Sequence, residues 1–187
     1  MSETVLGFDV SSSCIGIGVL QINDDKSIQF ISVEYIKPLK KGNIVERIAD
    51  TRDKIKSVIE KVKPDHIGIE DIIKFMKGKS SANTIIMLTT FNRMICLLAN
   101  DYLGHSPKLF NIMSIRHGLK LDKKLPSKED MPELVAHHLG IEFPYELNRK
   151  GNKKVENYDK ADGIAVALYH TFLLTDRIKK KKAKKLK

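Results

Sequence analysis

The chain has 187 residues and a mass of 21.2 kDa, the size of one domain with one core. Its composition, 42% hydrophobic and 30% charged, excludes an intrinsically disordered chain, and no apolar run reaches the roughly 18 residues that span a bilayer. Two distant cysteines, Cys14 and Cys96, argue against a disulfide scaffold or a zinc ribbon, and the formal net charge of +10 indicates an anionic partner. The N-terminus carries Glu3 and no basic segment, so we expect no signal peptide and a cytoplasmic protein.

Three β-strands are predicted in the first 36 residues. Short apolar runs at 5–10, 14–22 and 27–36 are rich in β-branched and aromatic residues, and polar turns separate them. Strands that follow one another through short turns favour an antiparallel meander.

A helix is predicted over 44–62, and a strand follows it. Asn43 and Glu46 have the spacing of a helix start, and apolar residues then recur at helical intervals until Pro64 ends the pattern. The short apolar run at 66–70 predicts a buried strand. This order of elements suggests that the helix crosses over into a parallel strand.

The next predicted helix, at about 81–103, is apolar over more than one face. A helix at the surface of a domain usually buries about 100° of its circumference, and this helix carries apolar residues over a wider arc. Central burial in the fold is the simpler interpretation. A contact with a second copy of the chain is the alternative.

The last third of the chain predicts one strand and two helices. The strand is expected over 108–115, and a helix capped by Ser127 is expected to end at Gly140. A loop over 142–157 then leads to a final helix over 158–174, whose first turns are rich in small residues. The predicted order, βββαβαβαα, describes an α/β domain with a mixed sheet over residues 1–176.

Four acidic residues lie in strongly apolar or helical surroundings. Asp9 interrupts the first strand, Glu70 ends the fourth, and Asp159 and Asp162 share one face of the last helix. Each also has an ordinary interpretation, as a turn acceptor beside Ser11–Ser13, as a strand end, or as an acid at the positive end of a helix dipole. Because an unpaired buried charge is unfavourable, the four acids together predict convergence on a cation.

Converging carboxylates favour Mg²⁺ or Mn²⁺, since hard divalent ions prefer oxygen ligands. Two such ions about 3.5–4 Å apart are the basis of two-metal phosphodiester hydrolysis. A basic protein with such a site is expected to be a nuclease.

The segments around these acids resemble one known family. The opening GFDVSSSCIGIGVL, the strand IGIED and the C-terminal YDKADGIAVALYH are similar to the RuvC family of Holliday junction resolvases, over roughly residues 4–174. The resemblance implies the RNase H-like (retroviral-integrase-like) fold, with three antiparallel strands, then parallel ones, in a five-stranded mixed sheet flanked by helices. The basic tail and the loop FPYELNRKGNKKVEN resemble additions found in phage-type members.

The resemblance also implies an activity and its residues. Asp9, Glu70, Asp159 and Asp162 would be catalytic ligands of two Mg²⁺ ions, for which Mn²⁺ would substitute. The enzyme would be a homodimer, paired through the helix at 81–103, that resolves four-way DNA junctions by symmetric nicks. Lys128 matches a catalytic lysine near the scissile phosphate, where it would offset developing charge. Its ordinary interpretation is an exposed residue at a helix start.

The candidate DNA contacts include two departures from the family pattern. Ser11 stands where the family has glycine, and Ile73 stands where it has an aromatic that contacts the junction centre. Phe75, two residues further on, is a candidate for stacking, although ordinary packing is the simpler interpretation. Arg116 or His117 matches a second family lysine. The basic candidates for DNA binding are Lys77, Lys79, Arg116, Lys123, Lys124, Arg149, Lys153 and Lys154.

Most of the net charge lies in a C-terminal tail. Residues 177–187 hold eight of the 33 basic residues and leave 25 basic against 23 acidic residues in the rest of the chain. Such a run repels itself, so we expect it to be disordered when free, and nucleic acid is its expected partner. A solubilising tail without a specific target is the alternative.

Two other functions remain open from the sequence. The acids do not separate a junction resolvase from a related nuclease that cuts other branched DNA or RNA–DNA hybrids, because the 2′-hydroxyl is read by other contacts. A nucleic-acid-binding scaffold without catalysis is the second, and the presence of all four acids argues against it.

Overall fold

The computed structural model of the chain describes residues 2–72 and 82–178. The candidate DNA contacts Phe75, Lys77 and Lys79 lie outside the described residues. The described elements, in chain order, are β1 (Glu3–Val10), β2 (Ile15–Ile22), β3 (Ile28–Ile36), α1 (Ile44–Val62), β4 (His66–Glu70), α2 (Ala82–Leu103), β5 (Lys108–Phe110), α3 (Ile112–Leu119), α4 (Met131–Leu139) and α5 (Glu156–Leu174).

The sheet has five strands in the order β3-β2-β1-β4-β5. The first three strands pair antiparallel, and β4 and β5 continue the sheet in parallel from β1. This arrangement confirms the predicted mixed sheet. Helix α1, with its Asn43–Glu46 capping box, makes the crossover between β1–β3 and β4 as predicted.

Two cores lie on opposite faces of the sheet, because successive strand residues point to opposite sides. Leu6 and Phe8 of β1 face the core that α1 and α2 cover. Val5 faces the core formed mainly by α3, α4 and α5. Side chains at odd-numbered positions of β1, Asp9 among them, therefore point toward α5.

Helix α5 packs unusually close to the sheet. A Cβ added at Gly16 of β2 would lie 1.7 Å from the Asp159 carbonyl oxygen, and one added at Gly163 would lie 2.5 Å from the Gly16 carbonyl carbon. Both distances are far below any real contact, so only glycine permits this approach. The small residues predicted at the start of the last helix serve this packing.

The strand predicted over 108–115 is correct only as far as Phe110. Asn111 accepts a hydrogen bond from the Met113 amide, and helix α3 begins there. Ile115 and Leu119 are buried one helical turn apart. The apolar spacing of KLFNIMSI fits a strand or a short helix, and the Asn cap decides between them.

Helix α4 begins three residues later than predicted. Ser127 does not cap it. Instead the Ser127 amide donates to Asp130 Oδ2 at 2.8 Å, in a turn that precedes the first helical residue, Met131. The predicted end at Gly140 is confirmed, with φ of 64°.

The prediction of central burial for helix α2 is wrong. Its buried residues form one stripe, Phe91, Asn92, Ile95 and Ala99, while Leu97 remains 61% exposed. Contrary to the sequence-based expectation, α2 is also long and apolar enough to cross a membrane by length and composition. A single helix of this kind is weak grounds for a membrane span, since core helices of water-soluble domains have the same properties.

Candidate active site

Two of the predicted acids lie side by side on neighbouring strands. Phe8 of β1 pairs with Ile69 of β4 in parallel register, so Asp9 and Glu70 occupy the next position on both strands. The alternation of the strands directs both side chains toward α5. Asp9 is buried, with 9% of its surface exposed, and Glu70 is half-buried.

The other two acids lie at the start of α5, facing the same point. Asp159 and Asp162 are three residues apart and therefore share a helix face. Their side chains are 14% and 6% exposed. The contact between Gly16 and Asp159 holds this end of the helix against β2, whose Gly16 pairs with Asp9. The structure thus brings all four acids to one end of the sheet.

Lys128 supplies a cation to this cluster from the segment before α4. Its Nζ donates to Asp159 Oδ1 at 2.8 Å and lies 3.6 Å from Asp162 Oδ2. Partial burial lowers the pKa of Lys128, but the two aspartates outweigh that effect and raise it above its usual value. The ammonium group therefore stays charged beside the carboxylates.

The carboxyl groups destabilise one another as anions. Burial, followed by the charges of Glu70 and Asp162, raises the pKa of Asp9 well above its usual range. Burial and the charge of Asp162 likewise raise the pKa of Glu70 to about 7. Burial also raises the pKa of Asp162 to about 6, although Lys128 and Arg116 oppose the shift. Like charges at one desolvated point produce this pattern.

Arg116 of α3 is a second cation near the acids. Its positive charge lowers the pKa of both Glu70 and Asp162, which places the guanidinium within electrostatic reach of each. Its Nε is buried, with no hydrogen-bond partner among residues 2–72 and 82–178. Among the basic candidates that the structure describes, Arg116 thus joins Lys128 in acting on the acid cluster.

The donor set suits a hard divalent cation. All four side chains offer carboxylate oxygens, and Asp162 Oδ1 is buried without a hydrogen-bond partner in the described part of the chain. Among the described residues, no group of three or more His, Cys, Asp or Glu side chains is close enough together to hold one metal ion. A bound ion would therefore draw the carboxylates together, or complete its shell with water and substrate oxygens, as Mg²⁺ commonly does.

Asp162→Asn is expected to stabilise the metal-free protein increasingly as the pH rises from about 4 to above 6. An acid with a higher pKa in the folded than in the unfolded chain binds more protons when folded, so its contribution to the free energy of unfolding falls as pH rises. The variant should gain on the order of 2 kcal/mol relative to wild type across this window. Thermal unfolding in a chelator at pH 4.5 and 7.5 measures it. Asp176→Asn, at an exposed position two residues past the far end of the same helix, is the control, and a pH-independent difference would contradict the prediction.

Five further basic candidates fall within the described residues, and none of the five is buried. Lys123, Lys124 and Arg149 are exposed, and Lys124 borders an open cavity of about 420 Å³ beside α4. Lys153 lies over the Tyr145 ring, with its Nζ 3.4 Å from the ring centroid. Lys154 Nζ pairs with Glu146 Oε2 at 2.9 Å, so part of the basic loop is already engaged within the chain.

Asn92 has a role near the site that the sequence did not indicate. This residue of α2 donates from Nδ2 to the Glu70 carbonyl oxygen at 2.8 Å. No local pattern signals the contact, since Asn83 and Asn100 stand in the same helix. Cys14 is also close to the acids and is buried, and burial together with Asp159 raises the pKa of its thiol. A thiol that resists ionisation is unreactive.

The sequence of the chain is similar to a known family of enzymes. Residues 5–104 match the family model described as crossover junction endodeoxyribonuclease RuvC. A protein of that name from Xanthomonas euvesicatoria is 27% identical over 167 residues, which cover 89% of this chain and 86% of the relative. A protein of the same name from Fusobacterium nucleatum is 23% identical, over 89% of this chain and 78% of the relative.

The fold is similar to that of solved structures from the same group. Thermus thermophilus RuvC in complex with Holliday junction substrate superposes with a TM-score of 0.69, at 17% identity, over 91% of this chain and 94% of that chain. A yeast mitochondrial Holliday junction resolvase superposes with a TM-score of 0.61, also at 17% identity, over 89% of this chain and 77% of that chain. These likenesses support the same five-stranded architecture.

Proposed function

The chain belongs to the RuvC family of crossover junction endodeoxyribonucleases, and from that premise we propose that it resolves four-way DNA junctions by paired, symmetric nicks. The observation that carries the proposal is the gathering of Asp9, Glu70, Asp159 and Asp162 at one end of the sheet. Family membership makes the chain a metal-dependent nuclease. The proposal adds the ions, the branched substrate and the cytoplasmic site of action.

We propose that the four carboxylates hold two Mg²⁺ ions and that Mn²⁺ substitutes for them. Ions bound there would supply a hydroxide at neutral pH and would stabilise the oxygen that leaves phosphorus. In the hydrolysis, a water gives up one proton as its oxygen forms the new bond to phosphorus, the bridging P–O bond of the DNA backbone breaks, and the leaving oxygen takes up one proton. The residues of the chain hold the carboxylates in place and exclude bulk water from Asp9 and Asp162, which are buried.

Two cations of the chain are suited to the scissile phosphate. Lys128 is 44% exposed at its side chain while it pairs with Asp159, so it is accessible to a phosphate that enters the site. Arg116 is the second cation, and its charge lowers the pKa of Glu70 and of Asp162. Charge that develops on phosphate oxygens in the transition state would be stabilised by both. Lys123, Lys124 and Arg149 are exposed for contacts along the DNA arms.

The decisive experiment is cleavage of a labelled four-way junction, with and without Mg²⁺ and with products mapped on all four strands. We expect metal-dependent nicks at symmetric positions on two opposed strands. A replication fork and an RNA–DNA hybrid of the same sequence, cut side by side, test the substrate. Faster cleavage of the hybrid or the fork would overturn the proposal in favour of a related nuclease.

The exposed face of α2 is proposed to pair with the same face of a second copy. Ile86 and Leu97 are 54% and 61% exposed on a helix whose other face is packed on the core, and an apolar face of this kind is typical of an interface. Two copies of the chain would supply two active sites, one for each of two opposed DNA strands of the junction.

Leu97→Glu is expected to convert the dimer into monomers, because it places a charge in the centre of this apolar face. Sedimentation measures the mass, and cleavage of a junction within a supercoiled plasmid measures how often both strands are cut in one binding event. Leu147→Glu, at a 56% exposed leucine in the loop before α5, is the matched control. A dimer that survives Leu97→Glu would contradict this interface.

The basic tail begins at the end of the molecule opposite the acids. Helix α5 has 19 residues and is therefore about 28 Å long, with Asp159 near its start. Arg177, three residues past its end, donates to the Lys26 carbonyl oxygen at 3.0 Å, in the turn between β2 and β3. The tail is thus proposed to hold a DNA arm, remote from the reacting phosphate.

Deletion of residues 177–187 is expected to weaken junction binding and to flatten its dependence on salt concentration, because fewer counterions are released. The positions of the nicks should stay the same. Binding isotherms at several salt concentrations and product mapping measure the two effects. A chain in which the tail's basic residues are replaced by Gln controls for length, and a shift of the nicks would contradict the assignment.

A further inference from the structure

A single polar side chain lies in the buried stripe of α2. Asn92 is 1% exposed, among Phe91, Ile95 and Ala99, which are fully buried. A buried amide in apolar surroundings is unfavourable unless both of its ends are hydrogen-bonded. Its partners therefore show what it does.

Both ends of the Asn92 amide are engaged. Nδ2 donates to the Glu70 carbonyl oxygen at 2.8 Å, and Oδ1 accepts from Cys96 Sγ, one helical turn on, at 3.7 Å. If the amide were flipped, Asn92 Oδ1 would face the Glu70 carbonyl oxygen, and these two acceptors would repel each other. The geometry thus fixes Nδ2 on the carbonyl of this one residue.

The Glu70 carbonyl lies beyond the last backbone pairing between β4 and β1. The pairing between β1 and β4 ends at Phe8 and Ile69. On the other side, the Asp71 amide donates to the Phe110 carbonyl oxygen of β5 at 2.8 Å. Asn92 and β5 together anchor the last peptide unit of β4.

This anchored peptide unit carries the Glu70 side chain into the acid cluster. The carboxyl group points toward α5, on the face of the sheet opposite to α2, so Asn92 acts on it through the backbone. We propose that Asn92 is a positioning residue, whose hydrogen bond fixes the direction in which Glu70 presents its carboxylate. The proposal rests on the proposed function of Glu70 as a metal ligand.

Asn92→Leu tests the proposal, because leucine has a similar volume and no donor. We expect the dissociation constant for Mg²⁺ alone, measured by calorimetry on the full chain, to rise about tenfold. We expect kcat for a four-way junction to fall about 10- to 100-fold while KM changes less than twofold, since misplacement of a reacting group by an ångström has effects of this size.

Two controls on the same helix separate positioning from stability. Ile95→Val removes one buried methylene from the same stripe and lowers Tm without contacting Glu70. Arg93→Gln removes the exposed pair between Arg93 and Asp71, whose atoms lie 3.5 Å apart. Both should retain the wild-type Mg²⁺ affinity and kcat at temperatures well below Tm.

Several outcomes would overturn the inference. They are wild-type Mg²⁺ affinity and kcat in Asn92→Leu, or an equal loss of Mg²⁺ affinity in Ile95→Val. Should Asn92→Leu fail to fold, Asn92→Ala removes the same donor without adding volume and is judged by the same two readouts. If the wild-type protein binds Mg²⁺ but cuts no four-way junction, the proposed function is contradicted. The role of Asn92 is then still decided by the Mg²⁺ affinity of the variants.

Discussion

Asp9→Asn and Glu70→Gln are expected to bind a four-way junction about as tightly as wild type and to cut it at least about a thousandfold more slowly. Binding depends mainly on contacts between basic side chains and phosphates, which neither substitution removes. Cleavage is proposed to depend on carboxylates that hold metal ions, and losing several kcal/mol of transition-state stabilisation lowers the rate by about this factor. Electrophoretic binding in a chelator and single-turnover cleavage in Mg²⁺ measure the two quantities separately.

Two further variants sharpen this experiment. Lys128→Met removes a cation that pairs with Asp159 but leaves all four acids, so it should slow cleavage by a smaller factor, about 10²-fold. Asp176→Asn, which changes an exposed acid two residues past the end of α5, should cut at the wild-type rate. Normal cleavage by both Asp9→Asn and Glu70→Gln would contradict the assignment of the site.

Gly16→Ala is expected to have the largest effect of any glycine-to-alanine substitution within the described residues. The new Cβ would lie 1.7 Å from the Asp159 carbonyl oxygen, so the start of α5 must move away from β2. Overpacking of this kind should lower the free energy of unfolding by about 3 kcal/mol. Because Asp159 and Asp162 move with the helix, the variant should also lose most of its affinity for Mg²⁺. Chemical unfolding and calorimetry measure the two effects.

Gly104→Ala is the matched control for this substitution. Gly104 has φ of 71° and has nothing within 4 Å of an added Cβ, so alanine there meets backbone strain alone. The cost should be about 1 kcal/mol, without any effect on metal binding. If Gly16→Ala unfolded no more easily than Gly104→Ala, the close contact between α5 and β2 would not be the constraint inferred here.

The sheet and most helices could be predicted from local patterns. Alternating apolar residues marked β1, β2 and β3, and the Asn43–Glu46 pair marked the start of α1 at the residue where it is found. The four acids could be singled out because each stood where burial makes a charge unfavourable. Their meeting could be inferred because β1, β4 and α5 are adjacent in a sheet of this order.

Other features depended on contacts that the sequence does not display. The segment after Phe110 has a spacing that fits a strand or a helix, and only the hydrogen bond from the Met113 amide to Asn111 selects the helix. The partial exposure of α2 depends on how much of its surface α1 and the sheet can cover. The role of Asn92 follows from a contact between residues 22 positions apart, and no local pattern signals it.

The backbone-to-backbone contact between α5 and β2 has a consequence for how such an enzyme diversifies. Main-chain atoms at Gly16 and Gly163 set the distance between β2 and the start of α5, and Glu146 in the loop before α5 pairs with the buried Lys160 of that helix. The exposed tip of this loop, residues 148–152, hydrogen-bonds within itself instead, so the tip can be recharged or exchanged without disturbing the acid cluster. We therefore expect a foreign segment grafted in place of this tip to leave Asp9 and Asp159 where they are, while it changes the surface beside them.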